Sequence, residues 1–149
     1  LLQKAIADFT ELVATDPGDL RIVERLALAE RLMALFLAYQ SIGQALVLSN
    51  RAQARVEKML AMDAVKTRTV LTAGIVAEAH GRVLRRSGDD ANAIATFESA
   101  LRLLAAEGQS GLTQVAVEEQ IMRHLNGDDS ASQHAVQLAN AGFVDPRFP

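Results

Sequence analysis

Apolar residues recur at the three-and-four spacing of an α-helix along almost the whole chain, and the breaks in that rhythm span only two to five residues. The breaks are Asp16-Pro17-Gly18-Asp19, Ser49-Asn50, Asp63 to Thr67, Ser87-Gly88-Asp89-Asp90, Glu107 to Gly111 and Asn126 to Asp129. They divide the sequence into seven expected helices, near 2–14, 19–47, 50–62, 67–86, 90–106, 112–125 and 130–141. Gly88 and Gly127 suit the left-handed residue after a helix, and the Asp or Ser just beyond each suits the cap of the next one. Loops this short leave no room for crossovers, so neighbouring helices must run antiparallel as hairpins stacked side by side. Composition agrees: 26 Ala and 20 Leu among 149 residues, with few aromatics, favour an all-α fold.

The expected second helix is unusual, because 29 residues would extend for ~44 Å, so a kink or break is expected near Ser41-Ile42-Gly43. It also carries the longest uncharged run, Leu32 to Ser49. A membrane span is not expected there. Tyr39, Gln40, Ser41, Gly43 and Gln44 would sit near the bilayer centre, and Glu24, Arg25, Glu30 and Arg31 lie just upstream.

A small residue, a larger apolar residue four later and a third inward-facing residue three after that occur together four times. The sets are Ala5-Phe9-Leu12, Ala52-Val56-Met59, Ala93-Phe97-Ala100 and Ser132-Val136-Ala139, at offsets of 47, 41 and 39 residues. These spacings put each set on one helical face, where the small residue admits a neighbouring helix and the large one fills the gap. In this the chain resembles the tetratricopeptide repeat (TPR) family. The third unit carries most of the resemblance: Gly81 and Leu84 fall on its first helix, Gly88 in its turn, and Ala93, Phe97 and Ala100 on its second. Pro17 closes the first unit as the family's proline does, and Gly127 precedes Ser132 as Gly88 precedes Ala93. Departures are His80 at a position usually large and apolar, no turn glycine in the second unit, Leu12 and Met59 in place of small residues, and offsets above the common 34. The resemblance implies a right-handed superhelix over residues 1–142 with an extended tail at 143–149. The first unit is represented only by its second helix. The chain begins at Leu1 without Met or a cationic leader, and reads as a piece of a longer array.

Catalytic patterns are missing from the sequence. There is no G-x-G-x-x-G, Walker or G-x-S-x-G sequence, and zero Cys removes thiolate chemistry. His80, His124 and His134 lack the spacing that places two metal ligands on one face, so no metal is expected. His80 follows Ala73, Val76 and Ala77 on an apolar stripe and reads as a packed, hydrogen-bonded histidine. Asp89-Asp90 and Asp128-Asp129 begin helices and read as caps; Glu118 and Glu119 read as solvated. No cofactor and no enzymatic activity are expected. A formal charge of −3 argues against a nucleic-acid partner. The compartment is left open, with cytoplasm favoured over periplasm.

Arg82, Arg85 and Arg86 end the first helix of unit three, with Glu78 four residues before Arg82. Without any ligand, these residues form a favourable intrahelical pair and complement the helix dipole. The resemblance adds a second role, because first helices of this family line a groove that holds a partner peptide. By position in the repeat, Ile75, Glu78, Arg82, Arg85 and Arg86 match groove-facing places, as do Gln114, Val117, Ile121 and His124 in unit four and the apolar run around Leu37 in unit two. Three guanidiniums there would select a carboxylate-bearing or phosphorylated segment. Phe143 and Phe148 in the tail read as covers for an open end of the stack.

The expected function is therefore a protein-interaction scaffold with a protein or peptide partner of acidic character. One alternative is a homodimerising segment of a larger bacterial regulator or secretion protein, meeting its copy through the apolar stretch Leu35 to Leu48. The other is a helical small-molecule sensor with His80, Tyr39 and Gln40 on buried faces.

Overall fold

The computed structural model describes residues 1–63 and 67–105, all of them in helices or the short turns between. Five helices follow one another: α1 (Leu2–Thr15), α2 (Leu20–Leu37), α3 (Ile42–Asp63), α4 (Thr67–Ser87) and α5 (Asp90–Ala105). The described part is all-α. The expected helices at 112–125 and 130–141, the fourth repeat set and the tail with Phe143 and Phe148 lie outside the described residues.

Local chemistry explains most of the boundaries. After α1, the Asp19 carboxylate accepts the Arg21 amide at 3.1 Å and so caps α2. Between α4 and α5, Gly88 has φ +88°, its amide donates to the Arg85 carbonyl, and the Asp89 amide reaches back to the Leu84 carbonyl, both at 3.0 Å. That pair of bonds satisfies carbonyls left free at the helix end. Asp89 then accepts the Asn92 amide at 3.3 Å to open α5.

One expected boundary is corrected. The break expected near Ser41-Ile42-Gly43 is present and divides 19–47 into two helices, whereas the boundary expected at Ser49-Asn50 is absent. The chain leaves the helix at Ala38–Ser41, where the Gln40 and Ser41 amides both donate to the Leu37 carbonyl, and α3 then runs unbroken to Asp63. Tertiary contact overrides the local signal at Ser49. Its hydroxyl is buried and bonded to His80, so it does not compete with the backbone of its own helix. The uncharged run Leu32–Ser49 is thereby shared between two helices, and among the described residues no helix is long and apolar enough to cross a membrane.

Two core clusters fix the helix directions. Val23 and Ala27 at the start of α2 meet Val56 and Met59 near the end of α3 and Ala73 and Val76 early in α4. Ala34 and Ala38 at the other end of α2 meet Ala45 at the start of α3 and Val83 late in α4. So α2 and α4 run the same way, and α3 runs against both. In the third cluster α5 packs on α4 through Ala93, Phe97 and Ala100. Phe97 is fully buried against Gly81, where a Cβ atom would fall 2.5 Å from its ring. Small-residue contact of this kind is what the repeat pattern anticipates, and the sets in α3 and α5 are buried throughout. The set in α1 departs from it: Ala5 and Phe9 are half-buried, but Leu12 is 47% exposed. The cause is that α1 packs chiefly on α2 and buries no residue fully.

Candidate functional site

The parallel course of α2 and α4 brings their carboxy-terminal ends side by side. Between them lies a cavity of about 330 Å³ lined by Leu35, Ala38 and Tyr39 from the α2 side and by Arg82, Val83, Arg85 and Arg86 from α4. Three of the residues expected to face a groove therefore share one depression. Its floor is apolar, since Ala38 and Val83 are buried, and its rim is cationic. The Arg86 guanidinium lies 4.5 Å from the centre of the Tyr39 ring, within the range of cation–π attraction. The ring holds Arg86 without neutralising it.

Glu78 and Ile75 extend the same helix away from the cavity. Glu78 is half-buried with a carboxylate oxygen 3.8 Å from Arg82, while Ile75 is 41% exposed. Arg31 on α2 joins this row. Burial lowers its guanidinium pKa, Glu78 opposes that shift and Arg82 adds to it, and its Nε is buried with no hydrogen-bond partner among the described residues. Sequence reading missed Arg31, Leu35 and the contribution of Tyr39 to the cavity, because those residues meet α4 only through tertiary packing. His124, Gln114, Val117 and Ile121 lie outside the described residues.

Leu37 belongs elsewhere. It lines a second, mostly apolar cleft of about 310 Å³ with Gln3, Ile6, Met33, Gln44, Val47 and Leu48, where α1, α2 and α3 meet. Within the stretch Leu35 to Leu48, Val47 is 51% exposed, whereas Leu46 packs against the core clusters.

Two buried polar pairs link neighbouring helices. The Ser49 hydroxyl and His80 Nδ1 are 2.5 Å apart in the interior; burial lowers the His80 pKa and Glu57 partly opposes the shift. Glu30, only 1% exposed, takes three hydrogen bonds of 3.0–3.1 Å from the Arg55 fork. The grouping of His80 with Tyr39 and Gln40 on buried faces is corrected: Tyr39 and Gln40 are exposed, because the chain turns there. Among the described residues no three His, Asp or Glu side chains converge as a metal site. Comparison with known protein families, with curated proteins and with solved structures returns no match.

Proposed function

We propose that the chain is a TPR-like repeat scaffold, a right-handed superhelix of about seven helices without catalytic activity of its own, that binds an acidic segment of a partner protein. One observation carries the reading: Arg82, Arg85 and Arg86 converge with Leu35 and Tyr39 on a single cavity between the first helices of two successive hairpins. A site assembled from packed helices binds without having to order itself, and fork-shaped guanidiniums favour carboxylate or phosphate groups. The resemblance to the TPR pattern supports the same placement, with Ile75 and Glu78 extending the surface. A displayed library of random peptides tests it. Selection on the full chain enriches Asp- and Glu-rich sequences, and the triple variant R82E/R85E/R86E, with unchanged helicity, loses that enrichment. Acid-independent enrichment retained by the variant removes the reading.

A second reading has its own observation. The apolar cleft beside exposed Val47 offers a surface for a second copy of the chain. Light scattering decides: a concentration-dependent dimer abolished by V47D favours self-assembly. Leu46 is unsuited to this test because a charge there would enter the core.

A further inference from the structure

α2 and the turn after it also carry exposed apolar side chains. Leu32 and Phe36, four residues apart, share one face of α2, Tyr39 follows them in the turn just past its end as a short apolar stripe, and the three are 51%, 59% and 73% exposed. Tyr39 joins this stripe to the cationic row of α4 through its contact with Arg86. α2 and α4 run parallel, and Leu35 and Tyr39 reach the cavity that Arg82, Arg85 and Arg86 line, so apolar and basic groups meet there. This charge is local, since the whole chain carries a formal −3.

We infer that the surface shared by α2 and α4 receives an amphipathic α-helix whose apolar stripe covers Leu32, Phe36 and Tyr39 and whose acidic flank meets Arg82, Arg85 and Arg86. The inference rests on the proposed acidic-partner reading and narrows the partner to one conformation. Two physical arguments select a helix over an extended segment. Leu32 to Tyr39 covers about 10 Å, two helical turns, and a ridge of side chains spaced four and three apart packs into the matching groove of another helix. An extended segment covers that length in about three residues and turns alternate side chains away, leaving part of the stripe bare. Backbone groups give the second argument. An extended segment brings unpaired N–H and C=O groups onto a stripe where Leu32 and Phe36 can bond neither, whereas a helix satisfies its own. The aromatic and arginine side chains at the junction of the stripe and the cationic row are the types that most often dominate binding energy.

Three synthetic peptides of equal length and composition class provide the test with the full chain, read by fluorescence anisotropy. One is a helix with leucines at i, i+4, i+7 and i+11 and glutamates along one flank; one has the same residues shuffled so that no face is apolar; one has the glutamates replaced by lysines. The acidic helix is expected to bind at least about tenfold more tightly than either of the others, and F36A to weaken it by about tenfold. Phe36 and Arg86 are exposed, so F36A and R86A leave the fold intact, which circular dichroism verifies. Equal binding of the helical and shuffled acidic peptides overturns the helical occupant while leaving the acidic-partner reading standing. Absence of binding by both acidic peptides, or preference for the lysine peptide, overturns both. A concentration-dependent homodimer abolished by F36A assigns the stripe to a second copy and also overturns the inference.

Discussion

Gly81 on α4 lies so close to the Phe97 ring of α5 that the contact leaves no room for a methyl group. Phe97 is fully buried and cannot swing aside, so G81A is expected to destabilise the fold by about 1–3 kcal/mol, measured by urea unfolding. At Gly88 there is open space but a φ of +88°, so G88A is limited by backbone strain alone and should cost about 1 kcal/mol. His80 makes stability depend on pH. Its folded pKa lies below the ordinary value of 6.5, so the unfolded chain binds more protons as pH falls below that value. Above it both states are neutral and nothing is lost; below it stability declines towards the folded pKa. Urea midpoints at about pH 7.5 and about pH 5.5 should differ accordingly, and H80Q should reduce the difference. A wild-type slope shared unchanged by H80Q would contradict this account. Of these three residues, sequence reading placed Gly81, Gly88 and the packed character of His80, but the Ser49 partner 31 positions away was out of its reach.

Between elements, the informative residues are those that link α2 to α3. Glu30 and Arg55 form a forked pair across the two helices, with Glu30 buried and Arg55 24% exposed. Removing the cation strands a buried carboxylate, so R55M is expected to cost about 3 kcal/mol, the lower part of the range for breaking a buried pair. The double variant E30M/R55M should recover much of that loss, and a thermodynamic cycle by chemical denaturation measures both. Nothing in the sequence pairs these residues, because each falls on its own helix among many charges. The expected boundary at Ser49-Asn50 failed for a related reason. Ser and Asn favour turns only where their side chains turn back on the local backbone, and Ser49 bonds His80 instead. Excess helix length did point to a break near Ser41-Ile42-Gly43, although the four turn residues Ala38–Ser41 contain no glycine or proline.

At the scale of the molecule, the order of hairpins sets which side chains become neighbours. Antiparallel α3 returns the chain so that α4 lies alongside α2, and this brings Tyr39 beside Arg86 and Leu35 into the cavity that Arg82 also lines. If that surface is electrostatic in its selectivity, affinity for an acidic peptide must fall as ionic strength rises, because exposed charges are screened beyond about 10 Å at 0.1 M salt. Replacing Tyr39 by Leu tests the junction: Y39L keeps apolar area but removes the aromatic face under Arg86, and should weaken acidic-peptide binding by about two- to fivefold, in keeping with an exposed cation–π contact of about 0.5–1 kcal/mol. Calorimetric titration measures it.

Periodicity and turn chemistry alone settled the helical class, the places where α1, α4 and α5 begin or end, and the inward faces of α3 and α5, since each depends on residues within a few positions of one another. The arginines were visible as a cluster for the same reason, being one turn of one helix. What surrounds them was decided only by the tertiary structure. Leu35, Tyr39 and Arg31 come alongside α4 because two helices separated by a third run parallel, and the free energy that aligns them comes from burying alanines and branched side chains in the core.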